Sequence, residues 1–95
     1  MIMMGSDLQA ILARDAIILD VRTEGEYIQG HVEGSLNIPL DRLPEELEKL
    51  PKDRPVVACC RSGSRSGVAA GFLYEEGYEA YNGGPWTTVR ALLQR

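Results

Sequence analysis

No stretch of this 95-residue chain approaches the about 20 consecutive apolar residues that a bilayer-spanning helix needs, so no membrane span is expected. The opening Met-Ile-Met-Met-Gly-Ser-Asp-Leu-Gln lacks the basic start and long apolar core of a secretory leader, which points to a cytoplasmic location. Cysteine occurs twice, at Cys59 and Cys60; adjacent cysteines make a poor disulfide framework and fit a reducing compartment. Histidine occurs once, at His31, far in sequence from both cysteines, and no metal-ligand spacing is present. Basic residues are few, 10 Lys and Arg against 14 Asp and Glu, and the net charge of −4 argues against nucleic acid or a membrane surface as partner. There is no internal repeat and no low-complexity tract. The 44% apolar content is that of an ordinary soluble globular protein, and residues 1–95 read as one domain with a core at about 6–93.

Apolar periodicity divides the chain into alternating strands and helices. Ser6-Asp-Leu-Gln9 has the pattern of a capping box, and Leu8, Ile11 and Leu12 give one apolar face to a short helix over 7–13. Ala16 to Val21 is apolar except for Asp20, as in a strand buried on both faces. Thr23-Glu-Gly-Glu26 is a second capping box, opening a short helix that Gly30 ends. Ser35 to Ile38 reads as a short strand. Pro44 with Leu43, Leu47 and Leu50 marks a third helix that stops before Pro51. Pro55 to Cys59 is another buried strand, a helix runs from Ser64 or Arg65 to Gly77, Glu79 to Tyr81 is a last strand, and 86–93 a last helix. This alternation predicts a parallel sheet covered on both sides, with ligands at the carboxyl ends of the strands, where Asp20 and Cys60 both lie.

The chemistry concentrates in Cys59 to Gly67, which reads CCRSGSRSG between a buried strand and a helix. The first N–H groups of a helix have no internal partner, and its dipole adds about half a positive charge there, so this turn is an anion site. A thiol so placed, near Arg61 and Arg65, loses its proton easily; helix N-termini and basic neighbours lower a free-cysteine value of about 8.5 to roughly 3.5–7.5. Two spacings share Arg65: Cys-x5-Arg from Cys59 and Cys-x4-Arg from Cys60. The longer one is that of cysteine phosphatases and some arsenate reductases, which must wrap a tetrahedral oxyanion. Their usual preceding His and early Gly are absent here, where Ala58 precedes Cys59 and Ser62 stands three residues after it.

The shorter loop, CRSGSR at 60–65, resembles the active-site loop of rhodanese-family sulfurtransferases. Three more segments are similar to that family: IILDVR at 17–22, YIQGHVEGSLNIP at 27–39 and YNGGPW at 81–86, the last as the closing turn before the final helix. Glu33 and Ser35 depart from the family's usual Pro and Ala. The resemblance covers about residues 15 to 90. It implies an α/β fold, a small parallel sheet of about five strands with helices on both faces. It also implies sulfur transfer through a persulfide on Cys60, from thiosulfate or a similar small anionic donor to cyanide or a thiol acceptor such as thioredoxin or another protein thiol. No cofactor is implied, and the expected state is a monomer or weak dimer. Two other readings stay open: a Cys59-based phosphatase or arsenate reductase, and a non-enzymatic sulfur-relay or binding module.

Each residue of the loop has an expected part. Cys60 is the nucleophile. Cys59, pointing away from it, is core or a resolving thiol. Arg61 faces solvent at the loop mouth and attracts anions. Ser62 and Ser64 donate hydrogen bonds to sulfur or substrate, or shape the turn. Gly63 supplies a backbone angle that a side chain forbids. Arg65 holds an anionic substrate or pairs with a carboxylate such as Asp20, and Ser66 completes the loop of N–H groups. Asp20 is expected to orient the loop by accepting those N–H groups. His31 is read as structural, and Trp86 as a core or rim aromatic.

Overall fold

The structure is a computed structural model that describes residues 5–94. Its elements follow in the order α1 (Gly5–Leu12), β1 (Ile17–Asp20), α2 (Glu24–Gln29), β2 (Leu36–Asn37), a 3₁₀ segment (Leu40–Lys49), β3 (Val56–Cys60), α3 (Ser64–Glu75), β4 (Ala80–Pro85) and α4 (Trp86–Leu93). The cap expected of Ser6 lies outside the described side chains. The second capping box is formed. The Thr23 hydroxyl accepts from the Glu26 N–H at 3.2 Å, and Glu26 Oε1 accepts from the Thr23 N–H at 3.1 Å.

The sheet is parallel throughout, but it has four strands where about five were expected. Gly5–Leu12 form α1, and no described residue before Ile17 belongs to a further strand. The expected third helix is instead a 3₁₀ segment with Pro44 inside it and a non-helical Glu46 (φ −119°, ψ 21°). Pro44 has no N–H to donate within an α-helix, so the chain takes tighter turns. These still bury Leu43. β4 runs on to Pro85, through residues expected to form only a turn.

Strand order is β2-β1-β3-β4. The chain therefore steps from β1 to β2 on one side, then returns past β1 to β3 on the other. The order reverses between β1 and β3, and a crevice opens above their carboxyl ends at such a point. Asp20 lies opposite Cys59 in that register.

Strand alternation sends side chains to two apolar clusters. Leu19, Val21, Val56, Ala58 and Cys60 meet Leu43, Ala69 and Leu73 on the face covered by the 3₁₀ segment and α3. Ile18, Val57 and Cys59 meet Leu8, Leu12 and Val89 on the face covered by α1 and α4. All five residues of β3 are buried, as a central parallel strand requires. α3 closes on Gly77 (φ 95°): the Gly77 N–H donates to the Tyr74 carbonyl at 3.1 Å and the Tyr78 N–H to that of Leu73 at 3.0 Å, so orphan carbonyls are satisfied. No described helix is long and apolar enough to cross a membrane.

Candidate active site

Cys60 ends β3, and only Arg61, Ser62 and Gly63 separate it from the first turn of α3. Gly63 is the N-cap, with φ 104°. A side chain would strain that left-handed angle, and the angle is what folds the chain back over the sulfur. The Gly63 N–H donates to Cys60 Sγ at 2.9 Å, and the buried Ser66 hydroxyl stands at 3.3 Å from the same atom. Gly63 has no side chain with which to cap the helix. The Cys60 sulfur takes that role, accepting N–H groups that α3 would otherwise leave unpaired. Burial pushes the Cys60 thiol up. The Ser66 hydroxyl and the N–H groups of Ser66, Gly63 and Ser62 outweigh it, and the balance lies below an ordinary thiol. Hydrogen bonds, rather than the arginines, are the main lowering cause.

Arg65 does not pair with Asp20. It forms a forked ion pair with Glu26 of α2, at 2.7 Å (Nη1–Oε1) and 2.9 Å (Nη2–Oε2). Arg65 hydrogen bonding holds the Glu26 carboxyl far down, at about 2, against the opposing effect of burial. The pair ties α2 to the start of α3 and frames the loop.

Asp20 does not accept the loop N–H groups either. Its even place in β1 puts it on the face of Ile18 and Cys59, away from Cys60. There it is fully buried and engaged by Arg22, whose backbone N–H donates to Oδ1 at 3.0 Å and whose Nη2 donates to Oδ2 at 2.7 Å. Arg22 Nη2 also donates to the Gly30 carbonyl at 2.7 Å, and its guanidinium lies 4.8 Å from the Trp86 ring centroid. Asn37 Nδ2 donates to the carbonyls of Asp20 and Arg22, both at 3.0 Å, and so fixes the end of β1.

Arg61 is exposed and makes no ion pair among the described residues. With Arg22, Gly25, Glu26, Gln29 and Trp86 it lines an open cleft of about 480 Å³. Ser62 and Ser64 are exposed and bond each other at 3.3 Å (Oγ–Oγ), so the Ser62 contribution to the sulfur is its N–H group. Cys59 is buried on the α1/α4 face, where burial and the charge of Asp20 push its thiol up to about 12. His31 Nδ1 stands 2.7 Å from the Tyr27 carbonyl, with the two rings stacked at 3.7 Å. Trp86 is a half-buried rim residue between Arg22 and Arg90. Among the described residues no group of His, Cys, Asp and Glu could hold a metal ion.

Three site residues were missed in the sequence. Arg22 carried a signal: two residues after Asp20 on a strand, it shares the same face. Glu26 carried a weaker one, since its capping box fixes where its carboxylate starts. Asn82, whose amide bonds the Ser66 hydroxyl at 2.7 Å and the Gly63 carbonyl at 3.1 Å, carried none, because the segment read as a turn.

The hydrogen bonds to Sγ set the pH dependence of Cys60. A depressed thiol is ionised above its own midpoint and becomes unreactive as pH falls through it. Iodoacetamide should therefore alkylate Cys60 with a midpoint below the about 8.5 of a free thiol, while Cys59 stays unmodified throughout. Peptide mapping of the rate against pH checks this; a midpoint at or above that of free cysteine would remove the electrostatic account of the loop. Cys60 is 0% exposed, so reaction also requires surrounding groups to shift.

The Rhodanese-like domain family matches residues 5–84. A protein of Allochromatium vinosum called "Sulfurtransferase" is 41% identical over 64 residues, which are 67% of this chain and 60% of that protein. "Thiosulfate sulfurtransferase GlpE" of Coxiella burnetii is 32% identical over 71 residues, 75% of this chain and 66% of that one. The chain thus spans about three-fifths of the length of the curated relatives it matches. Among solved structures, the reduced Bacillus anthracis CoADR-RHD is similar with a TM-score of 0.76 and 35% identity, covering 96% of this chain and 17% of that one.

Proposed function

We infer the chemistry from one premise: the chain belongs to the Rhodanese-like domain family. Curated relatives named as sulfurtransferases support sulfur transfer as its reaction class. Our reading of the reaction rests on one observation, a cysteine sulfur that accepts hydrogen bonds from the Gly63 N–H and the Ser66 hydroxyl in a six-residue loop, Cys60–Arg65.

Thiosulfate, or a similar anionic sulfur donor, enters the cleft beside Arg61. The Cys60 thiolate attacks its outer sulfur. The new Sγ–S bond forms as the donor's S–S bond breaks, and sulfite leaves with the bonding electron pair. Cys60 is then a persulfide anion. Cyanide or a thiolate acceptor attacks the terminal sulfur, and Sγ departs as thiolate. Negative charge stays in the loop throughout, so the same N–H groups stabilise the site before and after each step. A covalent intermediate between two half-reactions gives ping-pong kinetics. Arg61 borders the cleft and Cys60 does not line it, so the donor reaches the sulfur only as the loop shifts.

The phosphatase alternative needs an ionised Cys59, which faces away from the loop with its thiol pushed up to about 12. A sulfur relay fed by a partner protein would use the same Cys60 step with a different donor. Intact-mass measurement after thiosulfate treatment tests the proposal. One added sulfur atom, mapped to the Cys60 peptide and removed by cyanide as thiocyanate, is expected. No adduct with thiosulfate, together with hydrolysis of an aryl phosphate, would sink it.

A further inference from the structure

Strand β4 brings an uncharged side chain against the loop. Ala58 pairs with Asn82 and Cys60 pairs with Pro85, so Gly83 and Gly84 together face the single Cys59. Asn82 precedes this bulge and, opposite Ala58, faces α3 by ordinary strand alternation. Asn82 Nδ2 donates to the Gly63 carbonyl at 3.1 Å. Asn82 Oδ1 accepts from the Gly84 N–H at 2.9 Å and from the Ser66 hydroxyl at 2.7 Å. A flipped amide would set donor against donor at Gly84 and acceptor against acceptor at Gly63, so one orientation satisfies the network. The neighbours leave room for it: a Cβ on Gly67 would meet Nδ2 at 3.2 Å, and one on Gly63 would meet the Gly84 Cα at 3.4 Å.

The two residues that Asn82 holds are among the three that bond the sulfur. Gly63 presents its N–H to Sγ while Asn82 holds its carbonyl, and Ser66 has one hydroxyl hydrogen to share between Asn82 Oδ1 and Sγ. We propose that Asn82 is a positioning residue for Cys60, clamping Gly63 and Ser66 so that their donors converge on the sulfur. This rests on the reading of Cys60 as the reacting group. It extends that reading to a residue in the last strand, which does not itself touch the sulfur.

Other groups around Sγ also act on its ionisation. Cys59 adjoins it on β3, and Asp20 and Arg22 stand at the end of β1 on the opposite face. Arg61 lies in the loop, and Arg65 of α3 is held by Glu26 of α2. The 3₁₀ segment and the body of α3 present apolar Leu43, Leu50, Ala69 and Leu73 to that cluster. None of these changes when Asn82 is substituted, so a shift in the alkylation midpoint reports the clamp.

The test measures Cys60 alkylation by iodoacetamide against pH in wild type, Asn82→Ala, Asn82→Asp, Ser66→Ala and the Ser66→Ala/Asn82→Ala double variant. Asn82→Ala should raise the midpoint by about one pH unit, the scale of weakening one hydrogen bond to a charged sulfur. Asn82→Asp has the same size but points an oxygen at the Gly63 carbonyl and adds negative charge, so its midpoint should rise further. The double variant should shift less than the sum of the single shifts, because part of the Asn82 effect passes through Ser66. Unchanged midpoints in both Asn82 variants, whatever happens to thermal stability, would overturn the proposal, as would a fully additive double variant or a lowered midpoint in Asn82→Ala, the sign of a Ser66 hydrogen released to Sγ. Alkylation needs no sulfur donor. A wild type that accepts no sulfur while the midpoints keep this order would refute sulfur transfer and leave the clamp standing.

Discussion

Cys60→Ser is expected to abolish both the sulfur adduct and turnover, a loss of at least about a thousandfold, because removing a covalent nucleophile costs orders of magnitude even when the rest of a site survives. A serine hydroxyl at this position can still accept the Gly63 N–H, so the loop should keep its shape. What it loses is ionisation near neutral pH and the soft, polarisable sulfur that attacks another sulfur. Cys59→Ser is the control. It lies on the opposite face of β3, among Val57, Val89 and the residues of α1, and should keep most activity while losing about 1–3 kcal/mol of stability from a buried, poorly partnered hydroxyl. Intact mass and thiocyanate release decide the matter. Turnover surviving in Cys60→Ser, or lost in a folded Cys59→Ser, would reverse the assignment of the nucleophile.

The largest expected effect on stability comes from Asp20 and Arg22. Their side chains are 0% and 5% exposed and 2.7 Å apart. Removing either partner leaves a buried charge unpaired, which costs about 3–5 kcal/mol. Total stability of a domain is only about 5–15 kcal/mol, so Asp20→Ala should leave a marginal fold. For a chain of this size, 3 kcal/mol lowers Tm by roughly 12 °C or more. Arg22→Ala also loses the bond to Gly30 and the face of Trp86, so it should be the worse of the two. The double variant Asp20→Ala/Arg22→Ala should recover part of the loss, since no charge is then stranded. Denaturant unfolding checks this; a loss below about 1 kcal/mol in Asp20→Ala would show that water reaches the pair and screens it.

Local signals in the sequence were legible where one residue's chemistry decides the backbone. Thr23 and Glu26 announced the start of α2, and Gly77 the end of α3. The continuous apolar run of β3 announced a strand buried on both faces, and the alternation of elements announced a parallel sheet covered by helices. Pairings across the fold were less legible. Asp20 and Cys60 were expected to be neighbours because both sit at strand ends. Alternation puts them on opposite faces, and the register that decides this, Asp20 opposite Cys59, is set by contacts between strands. Arg65 could have met any of several carboxylates; it meets Glu26 because α2 follows β1 directly and comes to the same end of the sheet. Asn82 was hidden because its segment read as a turn, whereas β4 runs on past it opposite Ala58 and into a bulge where Gly83 sits against Val57 and Val89. A Cβ there would lie 2.7 Å from a Val57 methyl group.

The opposed directions of Cys59 and Cys60 have a consequence for the electron accounting of the protein. Consecutive residues of an extended strand aim their sulfurs through opposite faces, and a disulfide requires Cβ atoms about 3.5–4.5 Å apart with their vectors converging. β3 therefore insulates the two thiols from one another. A sulfur atom received by Cys60 on the proposed reaction could not be expelled by Cys59 to leave a disulfide between the two. On the proposed reaction, sulfur received by Cys60 therefore passes to an acceptor other than Cys59.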